Sequence, residues 1–366
     1  MRVLFYVSDP RWSGGSRALL AAARGLASRD HVVSVACCAD SRLDIEARAV
    51  GVETIAVNAP ASTTGSAWDL RRVIKERFIE VVIVGSERDQ LVVSSARLFA
   101  DRGAVLRRVP SFQSIELMRG GRLALRLAAS GLIVSAEQEL RSLDTAGWSV
   151  PPSVAPIGVD AASFDDVEPA HRSELRVPSD ATVIACSYDE SGRYRIATIF
   201  RALALLAPRH ANLRVAVFGP GSHDEALRLH ASALGVGTLV SFIGDTGDNR
   251  RIIRAAQAGW IVSSGDNAAF ACLDMMALRV PVLAEKDALT QHYLADNITG
   301  KLLPSTEPAA TASTVAAFLA SREKLAAMGN AGRTRVQRDF NLAAMVDGYE
   351  RAVRAAGDRT QWTKRK

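Results

Sequence analysis

Two aspartates eight residues apart, Asp266 and Asp274, stand where an apolar run ends in the small-residue loop Ser263-Ser-Gly-Asp-Asn-Ala-Ala269 and passes into a helix-like stretch. A carboxylate accepts hydrogen bonds from vicinal hydroxyls, which is how a ribose or a sugar ring is held. If the helix starts near Ala268, Asp266 is expected in the loop at the strand's carboxyl end. Asp274 then lies about two turns into the helix, and both can face one cleft. The same residues also fit a helix cap at Asp266 and a solvated face at Asp274. Gly14 and Gly15, in the turn Arg11-Trp-Ser-Gly-Gly-Ser16, can present backbone N–H groups to a phosphate at a helix N-terminus, or simply form a tight turn. Phe218-Gly-Pro-Gly221 carries the same ambiguity.

These groups need a scaffold that gathers strand ends on one edge. Short apolar runs alternate with amphipathic stretches from residue 2 to residue 134, as in Arg2–Val7, Ser16–Ala27 and His31–Cys37, and this is the rhythm of a parallel sheet of about five strands. The Pro-bearing stretch 150–156 breaks the rhythm and reads as a linker. The pattern resumes at Thr182–Cys186 and runs through Val280–Ala284, a second parallel sheet. Closing helices follow, the last over 342–356 and ending at Gly357. The expected fold is α/β, with two doubly wound Rossmann-like domains facing across a cleft. The first covers 1–155, with the 342–356 helix packing back on it, and the second covers 156–341.

Length and composition narrow the classes. A chain of 366 residues exceeds one comfortable core, and with 48% hydrophobic and 23% charged residues it is neither disordered nor fibrous. No apolar run approaches the roughly 18 residues that span a bilayer, and the N-terminal run is too short for a secretory signal, so a cytoplasmic protein is expected. Cys37, Cys38, Cys186 and Cys272 lie in apolar runs without metal-ligand spacing and read as reduced core thiols. The net charge of +6 suits an anionic substrate or membrane surface, whereas nucleic acid calls for a denser basic stripe with stacking aromatics. Arg122 and Arg126, four apart among leucines, form a small basic amphipathic helix that either lies on an anionic membrane or packs with an exposed charged stripe.

Asp266-x7-Asp274, followed by Met276-Ala277 and Pro281-Val282, resembles the E-x7-E segment of the retaining glycosyltransferases of family 4, which have the GT-B fold. Ile157-Gly-Val-Asp160 with Phe164 is similar to that family's interdomain motif. Asp296-Asn-Ile-Thr-Gly300 is similar to its D-G-x-T-G, and Met328 to Val336 with Phe340 to its C-terminal helix. The resemblance implies that Asp274 binds the nucleotide ribose, that Asp266 and the Asn267-Ala268-Ala269 backbone meet the donor sugar, and that Gly14 and Gly15 close on the diphosphate. Arg193 and Arg195 would stabilise the leaving diphosphate.

The chain also departs from the family. Both glutamates are aspartates, the position of the family's diphosphate-binding Arg falls at Ser187–Asp189, and the family's cleft His is missing from Leu106–Phe112. A Gly becomes Arg279. The donor-phosphate site is thus expected to be degenerate, and one lost cation costs on the order of 10² to 10³ in rate. In the first domain Arg88, Asp89, Arg107 and Arg108 lie at strand ends, where they meet an anionic acceptor or form surface ion pairs.

The expected activity is transfer of a sugar from a nucleoside-diphosphate donor to a glycan or lipid-linked acceptor, with retention, in cell-envelope or exopolysaccharide synthesis. Neither metal nor cofactor is expected, and peripheral contact with an anionic membrane is. The alternative is a transferase-like partner or regulatory subunit of a glycan-assembly complex that has lost turnover. A sugar-nucleotide epimerase of similar fold is a third and weaker reading.

Overall fold

The computed structural model describes residues 1–57, 63–100, 103–112, 129–142, 150–246, 248–303 and 306–363. The basic segment with Arg122 and Arg126, and the Lys364–Lys366 tail, lie outside the described residues. Runs of Val, Ile, Leu and Ala that are apolar on both faces build strands covered on both sides, and here they form two wholly parallel sheets. The chain divides into one unit of 1–158 with 342–366 and a second of Val159–Asn341.

In the first unit the strands are β1 Arg2–Val7, β2 Val32–Cys38, β3 Glu53–Val57, β4 Val81–Val84, β5 Ala104–Arg108, β6 Gly131–Val134 and β7 Ser153–Val154. Their order in the sheet is β3-β2-β1-β4-β5-β6-β7, so the winding reverses between β1 and β4. Among the described residues the sheet has seven strands, where about five were expected. The difference at its edge is β7, which lies inside the stretch read as a linker. Pro151 and Pro152 precede it, and an edge strand tolerates residues that cannot donate to a ladder. Helix Gly14–Ala27 opens at Ser13, whose hydroxyl accepts from the Ser16 N–H at 3.2 Å.

The last helix, Leu342–Thr363, packs beside Gly14–Ala27 and over β5, β6 and β7. Arg29 joins it through ion pairs to Asp347 at 2.6 Å and Glu350 at 2.8 Å. It runs past Gly357 rather than ending there. A side chain at Gly357 would meet Met1, with Cε 2.0 Å from the added carbon, so this glycine allows close packing within the helix instead of terminating it.

In the second unit the strands are β8 Thr182–Ser187, β9 Leu213–Phe218, β10 Val240–Gly244, β11 Ala258–Ile261, β12 Val282–Glu285 and β13 Gly300–Leu303. Their order is β10-β9-β8-β11-β12-β13, with the reversal between β8 and β11. The strand β13 is an addition to the five apolar runs read from the sequence, and its short Gly-Lys-Leu-Leu pattern explains the omission. A core of Ile184, Phe200, Leu203, Val215, Trp260 and Leu283 is buried between this sheet and its helices. Among the described residues no helix is long and apolar enough to cross a membrane.

Candidate functional site

In a doubly wound sheet, two loops part in opposite directions where the winding reverses, leaving a crevice at the carboxyl ends of the strands. In the second unit those loops follow β8 and β11. Tyr188-Asp189 leads into the single turn Glu190–Gly192, which Asp189 caps by accepting from the Ser191 N–H at 2.9 Å. Gly192 is required there, because a Cβ would sit 2.6 Å from the Val262 carbonyl oxygen just beyond β11. Asp189 also accepts from the Ser191 hydroxyl and, at 2.6 Å, from Asn267 Nδ2. Ser191 Oγ accepts in turn from the Ser264 N–H at 3.0 Å. Two of these contacts, Asn267 to Asp189 and Ser264 to Ser191, join the two loops into one rim.

Helix Gly265–Ala277 rises from that rim. It begins at Gly265, three residues before the expected start, with a left-handed φ of +56° that glycine adopts readily. Asp266 therefore lies in the first helical turn rather than in the loop. Asp266 and Asp274 are 7% and 8% exposed, so Asp274 is on no solvated face. Eight residues of helix separate them by about 12 Å along the axis and about 80° around it, so the two carboxylates share one side. Ala268 and Ala269 are buried in the same helix.

The far end of this helix is closed by cations. Arg333 donates to the Ala277 carbonyl at 2.7 Å and Arg254 to the Leu278 carbonyl at 3.1 Å, each complementing the negative end of the helix dipole. Arg279 follows with φ +60° and sits 3.9 Å from Asp165. It is thus a helix-end residue, at the opposite end from Asp266.

The two arginines expected at the diphosphate have different surroundings. Arg195 is tied on three sides: to the Ser263 carbonyl at 3.0 Å, to Glu285 at 3.0 Å and to Asp287 at 3.2 Å. Arg193 is more exposed and has one ion pair, to Asp224 at 3.1 Å. Asp224 caps helix Glu225–Ala233, next to the Phe218-Gly-Pro-Gly221 turn. That turn presses on the β8 loop, for a Cβ on Gly219, at φ +108°, would lie 2.3 Å from the Tyr188 carbonyl oxygen.

Asp189, Ser191, Glu285 and Asp287 were not singled out from the sequence. Asp287-x-x-Thr290 is a capping box, with Thr290 N–H to Asp287 at 2.8 Å and Asp287 N–H to Thr290 Oγ1 at 3.0 Å, and that spacing was the one local signal available.

The first unit has its own polar edge. Gly14 and Gly15 form the first turn of their helix, on the strand-end side of β1. Asp89 is 2% exposed and binds the Ser8 N–H at 3.3 Å and the Ser8 hydroxyl, while its own N–H donates to Ser86 Oγ at 3.0 Å. Arg107 and Arg108 are 3% and 4% exposed, so neither is a surface charge, whereas Arg88 is exposed. The four cysteines are buried free thiols, and burial pushes Cys37 up to about 11 and raises Cys38, Cys186 and Cys272 as well. Among the described residues no group of three His, Cys, Asp or Glu side chains is placed to hold a metal ion.

Residues 167–335, most of the second unit, match the family glycosyl transferases group 1. The chain is 26% identical to a GDP-mannose-dependent alpha-(1-6)-phosphatidylinositol monomannoside mannosyltransferase of Mycobacterium tuberculosis, over 97% of this chain and 99% of that protein. It is 27% identical to a D-inositol 3-phosphate glycosyltransferase of Segniliparus rotundus, over 56% of this chain and 46% of that one. In fold it is similar to Anabaena HepE, crystallised with UDP and glucose, at a TM-score of 0.78 and 17% identity over 97% of this chain and all of that one. It is similar also to the lipopolysaccharide galactosyltransferase WaaB, at 0.66 and 14% identity over 97% of this chain and 99% of that one. Each unit is a parallel-sheet Rossmann-like domain, as expected from the sequence, and the fold matches that of GT-B structures.

Proposed function

We propose that the protein transfers a sugar from a nucleoside-diphosphate donor to a phosphate-bearing acceptor, an inositol phosphate either free or within a lipid, with retention of configuration. The observation that carries this reading is the helix Gly265–Ala277, which starts at a winding reversal within the residues that match the glycosyl transferases group 1 and holds Asp266 and Asp274 on one side. Asp274 holds the ribose hydroxyls, and Asp266 with the Asn267-Ala268-Ala269 backbone holds the donor sugar. The bond from the anomeric carbon to the diphosphate oxygen breaks, a bond to the acceptor hydroxyl forms on the same face, and the hydroxyl proton leaves with the diphosphate. Arg193 offers charge to that leaving group. The relatives that use GDP-mannose and inositol-containing acceptors support the donor and acceptor classes. We place the reaction in the cytoplasm or at the inner face of a membrane, without metal or cofactor.

Incubation with GDP-mannose or UDP-glucose and inositol phosphate, followed by NMR of the product's anomeric carbon, tests the reading. An α-linked product supports retention, and a β-linked one overturns it. A second reading, a non-catalytic subunit, is favoured by one arrangement: a buried carboxylate, Asp189, stands in the loop where the resemblance leads one to expect the diphosphate-binding Arg, while Arg195 is committed to Glu285 and Asp287. Nucleotide binding without turnover on any donor and acceptor pair would select it.

A further inference from the structure

We propose that Arg107 is the receptor for the acceptor's phosphate. This rests on the transferase reading above and adds which residue of the first unit reads the acceptor. The winding of the first sheet reverses between β1 and β4, and β5 is the next strand over. Ser8 follows β1, Asp89 stands in the first turn of helix Glu87–Ala100 after β4, and Arg107 is the penultimate residue of β5. Three neighbouring strands thus place a hydroxyl, a carboxylate and a guanidinium at the crevice where ligands of open parallel sheets bind.

Arg107 is 3% exposed, yet its Nε and one of its terminal nitrogens have no hydrogen-bond partner among the described residues. Buried charged donors without acceptors are costly, and such groups persist where something else supplies the acceptor. Among the described residues no ion pair joins Asp89 to Arg107, and Asp89 Oδ1 accepts from Ser8. Burial pulls Arg107 down to about 10, with the Asp89 charge working the other way, so the guanidinium stays charged at neutral pH. Burial in turn raises the Asp89 carboxyl. Arg108 adds positive charge beside Arg107 and Glu87 negative charge. A planar fork with unused donors matches the two oxygens of a phosphate monoester or diester, which an ammonium group cannot match.

The test titrates the full chain with D-inositol 3-phosphate, with neutral inositol, and with vesicles of phosphatidylcholine with and without phosphatidylinositol. The wild type is expected to bind D-inositol 3-phosphate or the phosphatidylinositol vesicles, and neither neutral inositol nor phosphatidylcholine vesicles, whose phosphate carries the choline cation beside it. Binding of the free compound assigns a soluble phosphate, and binding only to the phosphatidylinositol vesicles assigns a lipid headgroup. Arg107→Met should weaken the binding about tenfold or more, and Arg107→Lys several-fold, with GDP and UDP binding as the check on the fold. Should Arg107→Met fail to fold, Arg107→Lys decides. The proposal is overturned if neutral inositol binds as well as its phosphate, if the folded variants bind as the wild type does, or if the wild type binds no phosphate probe. Nucleotide binding with no phosphate binding defeats this inference alone, whereas loss of both defeats the transferase reading.

Discussion

Asn267 Nδ2 donates to the Asp189 carboxylate at 2.6 Å, across 78 residues of sequence, and so ties the first turn of helix Gly265–Ala277 to the loop after β8. The same carboxylate binds Ser191, which in turn receives the Ser264 N–H. Removing this buried carboxylate leaves the Ser191 N–H and hydroxyl and the half-buried Asn267 amide without their acceptor. Asp189→Ala should therefore lower the unfolding free energy by about 2 kcal/mol, read from urea unfolding at pH 7. A change below about 0.5 kcal/mol would mean that this rim holds together without Asp189.

Arg193 and Arg195 separate by the same reasoning. Arg195→Met leaves Glu285 and Asp287 without their cation and the Ser263 carbonyl without its donor, so it should destabilise the fold by about 1–2 kcal/mol. Arg193 is 61% exposed with a single ion pair, and Arg193→Met should change stability by less than about 0.5 kcal/mol. If Arg193 faces the leaving diphosphate, the same variant should slow turnover by about tenfold to a hundredfold. Thermal melts set beside initial rates check both. A stable Arg195→Met variant, or an Arg193→Met variant with full activity, would contradict the assignment.

Arg279 occupies a left-handed position, φ +60°, immediately after a helix, where a side chain is strained and glycine is not. Its contact with Asp165, at 3.9 Å between partly exposed groups, offsets little of that strain. Arg279→Gly is expected to stabilise the protein by about 0.5–1 kcal/mol, seen as a higher midpoint in denaturant. A lower midpoint would show that the cation contributes more than its geometry indicates.

Glu350 links the last helix to the first unit through Arg29, and also meets Arg354 and His31. The hydrogen bonds from Arg29 and then Arg354 draw its carboxyl from the usual 4.5 down to about 2. A carboxyl depressed in the folded state contributes its stability above its unfolded value and loses it as the pH falls toward the folded one. Glu350→Gln should therefore cost about 1 kcal/mol at pH 7, with the difference from wild type shrinking between pH 4.5 and about 2. Paired unfolding curves across that window measure it, and a difference independent of pH would contradict it.

The alternating apolar runs made the two parallel sheets legible, since a strand covered on both faces must be apolar throughout. The runs were less informative where a strand was short. Ser153–Val154 follows two prolines, and Gly300–Leu303 carries a glycine and a lysine, so both appear as strands only once a neighbour supplies the ladder. Asp266 and Asp274 were readable because a helix places residues eight apart on one side. The pairing of Asp189 with Asn267, and of Arg195 with Glu285 and Asp287, joins residues 78 to 92 positions apart, and no local spacing announces such contacts.

The central claim is a donor-nucleotide site built on helix Gly265–Ala277, and calorimetric titration with GDP, UDP, ADP and dTDP tests it most directly. The account predicts that one nucleotide binds the wild type, that Asp274→Ala abolishes binding, and that Asp274→Asn weakens it by at least about tenfold while melting near the wild-type temperature. Absence of binding by every nucleotide at millimolar concentration, or unchanged affinity in a folded Asp274 variant, would contradict it.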